Sequence, residues 1–251
     1  MRVVTWNLGW RFGEWEPRQP AIEAVLAETD ADVIAVQETW PDQLARLADV
    51  LELHWAFSGR RPSETVAHGF GNGILSRRPI AHHAEITLPA LDGPAYRSAL
   101  LVRTAPDGDE PPFTAVTTHL THRRHETPTR LAQLDALRTF IDDNADTETG
   151  GLALLGDLNA TPDSEEIRGL CDAWTDCWAE RGDGDGWTWA RANPLAAHAR
   201  WPNRRLDYVL LPAAGRPTQR LHAVELIGTC PIDGTMPSDH YGVLVDFSPL
   251  G

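Results

Sequence analysis

Six short motifs place carboxylate, amide and imidazole groups at the ends of apolar runs. In chain order they read TWN (Thr5–Asn7), VQET (Val36–Thr39), TTHL (Thr117–Leu120), GDLN (Gly156–Asn159), RLDY (Arg205–Tyr208) and SDH (Ser238–His240). Together they hold oxygen ligands for a metal ion, an acid able to activate water, and two histidines. That is the equipment for metal-assisted attack on phosphorus.

GDLN is the sharpest of the six. The apolar run Leu152–Leu155 feeds straight into Gly156, so Asp157 and Asn159 sit where a buried strand emerges. Side chains two apart on an extended chain face the same side. Asp157 can then take a proton from water while Asn159 donates to an oxyanion. The competing reading of the same residues is an Asx-turn leading into the Pro162 loop.

Glu38 ends the run DVIAVQ, as a rim charge or as a ligand. Mg²⁺ takes one or two carboxylates and keeps most of its waters. Asn7 offers an amide oxygen at the end of the first strand, where Asn also serves as a turn residue. His119 follows AVTT and His240 follows Pro237–Ser238–Asp239. Imidazole is the natural acid–base group near neutral pH. Asp207 opens YVLL, where a carboxylate could orient an imidazole through its second nitrogen.

Other polar groups carry less. His122 and His125 continue from His119 at a spacing of three, which invites a zinc reading. Thr127–Pro128 and the lack of a fourth ligand argue against it. Asp183 and Asp185 in GDGDG resemble a calcium loop only superficially, since Pro194 stands where an EF-hand needs Glu. That segment reads as a loop. His54, His68, His82, His83, His198 and His222 receive no role.

The elements that must position these groups follow from apolar periodicity. Strands are expected at Arg2–Leu8, Asp32–Gln37, Gly73–Ser76, His83–Leu88, Tyr96–Arg103, Phe113–His119, Leu152–Leu155, Leu206–Leu211, Leu221–Leu226 and Gly242–Phe247. Helices are expected at Pro20–Thr29, at Asp42–Leu53 with Leu44, Leu47, Val50 and Leu51 inward, and at Pro128–Asn144 capped by Thr127. A fourth runs from an Asp163/Glu166 capping box to about Trp178. Non-alternating strands and helices of this kind suggest two packed sheets with helices outside, in one domain over residues 1–251.

Composition narrows the chemistry. All 22 basic residues are Arg, so a P-loop Lys, a Schiff-base Lys and a Lys general base are excluded. No G-x-S-x-G elbow marks a serine hydrolase. The net charge of −14 gives a field that repels a polyanion, which disfavours nucleic acid as the partner. The pairs Arg60–Arg61, Arg77–Arg78, Arg123–Arg124 and Arg204–Arg205 read as solvated surface, or as the lining of a small anionic site. Three cysteines, no recognisable signal peptide and no apolar span lead us to expect a cytoplasmic protein without a membrane segment.

Taken in order, TWN, VQE, TTHL, GDLNATPDS, RRLDYVLL and SDHYGVLV resemble the motifs of the endonuclease/exonuclease/phosphatase superfamily across residues 3–247. GNGILSRRPI and the Arg130/Gln133 pair are similar to bacterial members. The resemblance implies a four-layer α/β sandwich, two mixed sheets flanked by helices, with one Mg²⁺ or Mn²⁺ at the sheet ends. It implies Glu38 as the main metal ligand with Asn7 and Asp239 nearby. It implies Asp157 on the water, Asn159 on the phosphorane-like state, and Asp207 holding His240 against the phosphoryl oxygens. His119 would serve the phosphate or leaving group, where abasic-site endonucleases carry Tyr and where the DNase I and sphingomyelinase branches are similar to this chain. Abasic-site enzymes also carry Asp two residues after the first-motif Asn, where this chain has Gly9. Trp189, Asn193 and Arg123 are the expected substrate contacts. The Thr188–Trp189 pair resembles the aromatic segment that DNA-repair members place near a flipped sugar. Trp187 and Trp201 lie in the same stretch, and such aromatics stack a base, hold a lipid or aryl group, or simply pack.

The expected function is therefore a metal-dependent phosphoesterase acting by in-line attack of water on a small or lipid-like ester. The alternatives are a nuclease or DNA-end-processing enzyme of abasic-site or tyrosyl-DNA type, and a non-catalytic scaffold, which six undecayed motifs oppose.

Overall fold

The central strands are apolar on both faces, and this decides the architecture. In the computed structural model, which describes residues 1–60, 68–123, 125–145, 150–197, 201–213 and 219–249, twelve strands and five helices lie among those residues. Arg61, Arg124 and His198 fall outside them.

The first sheet runs, edge to edge, β11 (Gln219–Ile227), β12 (Gly242–Pro249), β1 (Arg2–Asn7), β2 (Val33–Thr39), β4 (Phe70–Ser76) and β3 (His54–Arg60). The second runs β5 (Ile80–Thr87), β6 (Ser98–Thr104), β7 (Phe113–His119), β8 (Gly151–Asp157), β10 (Asp207–Pro212) and β9 (Trp174–Asp176). Each sheet has one parallel pair at its centre, β1–β2 and β7–β8, with antiparallel neighbours outward.

Strand alternation then sorts side chains into layers. Val33 and Ala35 of β2 face the opposite sheet, in one cluster with Ala153 and Leu155 of β8. Ile34 and Val36 point outward onto Ile22 and Leu26 of α1 (Arg18–Thr29) and Leu44 and Leu47 of α2 (Pro41–Leu51). Leu152 and Leu154 meet Leu134, Leu137 and Ile141 of α3 (Thr127–Asn144) and Ile167 of α4 (Glu165–Cys171). Each such side chain contributes roughly 1.5–3 kcal/mol by leaving water. The outcome is helix, sheet, sheet, helix: a four-layer α/β sandwich. No helix among the described residues is long and apolar enough to cross a membrane.

Buried polar bridges set the register between the sheets at one end. The fully buried Gln37 of β2 donates to the Thr117 hydroxyl of β7 at 3.0 Å and to Thr5 of β1 at 3.1 Å. Asn72 donates to the Ser98 carbonyl at 2.8 Å, and the Ser58 and Ser98 hydroxyls lie 3.0 Å apart.

Several expectations are corrected. The helix expected from Asp163 to Trp178 is two helices with β9 between them, and α5 (Cys177–Arg181) carries Cys177 while α4 carries Cys171. Ser164 caps α4, its hydroxyl accepting from Ile167 N, while Asp163 accepts from the Thr161 hydroxyl. Pairing with the edge of β10 and the buried Arg205–Asp176 ion pair, 2.7 Å, outweigh local helix preference here. Thr127 does not cap α3: Glu126 holds that position without a side-chain bond, and the Thr127 hydroxyl accepts from Arg130 Nη2. Val50 is 52% exposed, because the buried stripe of α2 stays on Leu44, Leu47 and Ala48. Gly182 and Gly186 of the GDGDG stretch pack onto Trp178, whose indole donates to the Gly184 carbonyl.

β7 and β8 approach closely just before the motif residues. A Cβ on Gly156 would lie 2.1 Å from the Thr118 carbonyl oxygen, a backbone atom that cannot swing away. Gly156→Ala should therefore destabilise by about 3 kcal/mol in urea unfolding, and an unchanged midpoint would show that the strand pair yields.

Candidate active site

Four of the motif residues stand at the carboxyl ends of the four central parallel strands: Asn7 on β1, Glu38 on β2, His119 on β7 and Asp157 on β8. The start of β10 brings Asp207 opposite Asp157 across an antiparallel ladder. The loop entering β12 carries Asp239 and His240. Strand ends let polar groups converge while their strands stay buried.

Local backbone irregularity aims the side chains. β2 slips register against β4 at Glu38, whose φ is +53°. A bulge of this kind re-aims one side chain out of the ladder, and a non-Gly residue at positive φ is held there by its surroundings. Here the Glu38 carbonyl accepts from Trp10 N at 2.9 Å, and Trp10 itself has φ +36°. Asn159 also sits at positive φ, +50°, with its backbone N–H donated to Asp157 Oδ1 at 2.9 Å.

Asp157 is the hub. It is 1% exposed and comes from the second sheet, yet its Oδ2 accepts from Asn7 Nδ2 of the first sheet at 3.0 Å. His119 Nε2 lies 3.3 Å from the same oxygen, and His240 Nε2 lies 3.9 Å away. Burial, followed by the charge of Asp207, pushes the Asp157 carboxyl up to about 6, against the opposing pull of His240, Asn7 and Asn159. A carboxylate poised there can exchange a proton near neutral pH.

The two imidazoles are driven apart. Burial first, then Arg97 and His240, hold His119 well below the ordinary imidazole range, so it is neutral at pH 7. Its Nδ1 has no hydrogen-bond partner among the described residues and lies 3.9 Å from Glu38 Oε1. Burial would lower His240 too, but Asp207, 2.8 Å from its Nδ1, together with Asp157 and Asp239 raises it well above that range. Asp207 is held in turn: Thr188, fully buried, takes the Leu206 and Asp207 N–H groups on its hydroxyl at 3.0 and 3.2 Å. Trp6 Nε1 donates to the His240 carbonyl at 2.9 Å.

Two donor sets could hold a cation. Asp157, Asp207 and His240 offer ligand atoms within 4.8 Å of one another, all buried. In that trio the short Nδ1–Oδ2 contact already commits His240 to Asp207. The second set is all oxygen. Glu38, its side chain 17% exposed, is pushed up to about 7 by burial and then by the charge of Asp239. A Glu38 carboxyl raised by burial and by a neighbouring carboxylate would be eased by a cation, and oxygen donors suit a hard dication.

The remaining site candidates separate cleanly. Trp189 packs its ring edge-on to His240, 5.0 Å between centroids, and 6.2 Å from Trp201. Asn193 is fully buried and braces the loop ahead of Asp239, its amide nitrogen donating to the Ser238 carbonyl and its Oδ1 accepting from Leu195 N. Arg123 pairs with Glu126 at 3.1 Å with 55% of its side chain exposed, and is not brought to the cluster. Asn159 donates one amide hydrogen to the Leu120 carbonyl and keeps the other.

Two arginines at the site are missed by reading motifs. Arg97, 6% exposed, exerts its charge on Glu38, Asp157 and His119. Its signal is a basic residue opening an apolar run, SALLV, the same pattern that marks the motifs. Arg18, at the first position of α1, donates to the carbonyls of Leu8, Gly9, Trp10, Phe12 and Pro237. It ties the loop after Asn7 to the loop before Asp239. A Cβ at Gly9 would meet Asp239 Oδ1 at 2.8 Å and Arg18 Nη1 at 3.0 Å, so Gly is required there.

The His240–Asp207 pair yields a pH-dependent expectation. A raised imidazole pKa contributes stability that is fully present below the unfolded value near 6.5 and is lost as pH rises through the folded value. Asp207→Asn should cost about 3 kcal/mol at pH 6 and progressively less at alkaline pH. Proton NMR of His240 should show its titration moved to lower pH. An equal loss at every pH would contradict the pairing.

Comparisons with known proteins agree with this fold. No curated protein matches the sequence. Among solved structures, the TDP2 of D. rerio, complexed with a single strand DNA product, superposes with TM-score 0.81 at 21% identity, covering 99% of this chain and 98% of that one. The mannosyl-6-phosphatase Bt3783 of Bacteroides thetaiotaomicron gives 0.76 at 14% identity, with 99% of each chain covered. An endonuclease/exonuclease/phosphatase from Beutenbergia cavernae gives 0.77 at 23% identity, over 100% of this chain and 72% of that one. These likenesses establish the fold. The model of the Endonuclease/Exonuclease/phosphatase family matches residues 4–240, a span that takes in all six motifs and every strand end of the site, and the chain belongs to that family.

Proposed function

We propose that this protein is a divalent-metal-dependent phosphoesterase in which water attacks phosphorus in line with the departing oxygen. The observation that carries the reading is the meeting of Glu38, His119 and Asp157 from strand ends with Asp239 and His240 from the loop entering β12. It joins a raised Glu38 beside a second carboxylate to a proton-poised Asp157 and two oppositely tuned histidines. Glu38 and Asp239 would hold Mg²⁺ or Mn²⁺. The Asn7 amide oxygen, which accepts from Gly9 N at 2.9 Å, has a lone pair left for it. A hard dication there supplies charge stabilisation of phosphoryl oxygens.

The chain's own residues do the rest. Asp157 accepts the proton of the attacking water. His240, cationic and braced by Asp207, presents Nε2–H to the developing negative charge. The free amide hydrogen of Asn159 joins it. His119, with Nε2 toward Asp157, offers its Nδ1 lone pair to a substrate or leaving-group hydroxyl.

The net charge of −14 favours a small or lipid-like ester over a polyanion. The mannosyl-6-phosphatase likeness points the same way. A second reading, a nuclease or DNA-end-processing enzyme, draws on Trp189 against His240, with Trp201 against Trp189, and on the DNA-product complex of the TDP2 relative. Activity on plasmid or abasic-site duplex that falls steeply with salt would favour it.

On bis(4-nitrophenyl) phosphate with Mg²⁺ or Mn²⁺, Glu38→Ala and Asp157→Ala should each cut turnover by roughly 10²–10⁴-fold, and chelation should abolish wild-type activity. Folded variants that match the wild type would sink the reading.

A further inference from the structure

Arg97 faces the carboxylates of Glu38 and Asp157, yet it keeps buried donors that nothing among the described residues accepts from. Its Nη2 lies 3.3 Å from His122 Nδ1, but Nε and Nη1 are buried with no partner among the described residues. Buried donors are almost always satisfied, and a buried guanidinium with two idle N–H groups calls for a ligand. The fork of Arg fits phosphate oxygens bidentately.

An aromatic wall continues from that guanidinium outward. The Arg97 guanidinium carbon lies 5.3 Å from the Tyr96 ring centroid and 6.0 Å from that of Phe70. Phe70 meets Trp10 at 5.8 Å and 76°, and Trp10 meets Phe12 at 5.4 Å and 66°. Phe12 is 59% exposed. This wall is fixed to the metal-binding side of the centre: Trp10 N donates to the Glu38 carbonyl, Trp10 Nε1 to the Gly69 carbonyl at 3.0 Å, and Arg18 grips the Trp10 and Phe12 carbonyls. Trp10 keeps its φ of +36° because these bonds impose it, and Phe12 forms the exposed outer end of the wall. Trp189, by contrast, packs against His240, with Trp201 against Trp189.

We propose that Arg97 and the Trp10–Phe12–Phe70 wall form one subsite that takes an aryl, or similarly flat and apolar, ester of phosphate. Arg97 binds a non-bridging phosphoryl oxygen and the rings face the organic group. This rests on the phosphoesterase reading for the chemistry it serves, but it is tested by binding alone.

The probes are phenylphosphonate and methylphosphonate, which share the charged head and cannot be hydrolysed. Calorimetry on the Mn²⁺-supplied protein should show phenylphosphonate binding about tenfold more tightly than methylphosphonate, as expected for one aromatic contact. Phe12→Ala, an exposed change that leaves the core intact, should collapse this ratio toward one while leaving methylphosphonate unchanged. Arg97→Gln should weaken both ligands by about tenfold or more, and Arg97→Lys should recover part of the loss. A wild-type ratio near one, equal weakening of both ligands by Phe12→Ala, wild-type affinity in Arg97→Gln, or no phosphonate binding at all would each overturn the subsite. Aryl preference in binding without turnover of any ester would sink the phosphoesterase reading and leave the subsite standing. Turnover without aryl preference would do the reverse.

Discussion

The structure turns on a single buried carboxylate. Asp157 sits at the end of a strand with almost no exposure, and an ion so placed must be compensated by the protein. The compensation comes from both sheets: Asn7 from the first, Asn159 and His119 from the second, and His240 from the loop between the strands of the first. Positioning those donors demands that the two sheets meet in one register, and Gln37 and Asn72 supply that register through buried amides. A slip of one residue would turn every central side chain to its other face and strand the charge.

Around this hub the charges alternate. Glu38 and Asp239 face Arg18 and Arg97, while His240 stands between Asp157 and Asp207. No pair is a simple stabilising salt bridge; several groups are held away from their ordinary pKa values by burial. The positive-φ residues Trp10, Glu38 and Asn159 all belong to this same end of the sandwich. Asp30 and Glu52 also have positive φ, as helix C-caps, so what sets this end apart is such backbone coinciding with buried, shifted titratable groups over a core packed on both faces of each sheet.

Much of this was legible in residue order. Runs such as DVIAVQ and LALL are apolar on both faces and read correctly as buried strands, and the polar residue ending each run marked the site. Weaker elements escaped. β3, HWAFSGR, has exposed positions at its start and carries little periodic signal, and β9 is three residues long. The break between α4 and α5 depends on an ion pair between Asp176 and Arg205, twenty-nine residues apart, which no local pattern reports. Arg18 and Arg97 were missed for a related reason: their significance lies in backbone carbonyls and buried neighbours that only folding brings together. Asn193 shows the converse, a polar residue in a promising segment that folding ties to the Ser238 carbonyl and Leu195 N as a loop brace.

The proposed function makes a claim about the course of reaction: Asp157 and the His240–Asp207 pair would handle protons and charge while water, rather than a side chain, attacks phosphorus. The most direct measurement is the stereochemical outcome at phosphorus on a chiral aryl phosphorothioate hydrolysed in isotopically labelled water. A single in-line attack by water predicts inversion with label entering the phosphorothioate product. Retention would require a covalent enzyme intermediate and would contradict the account.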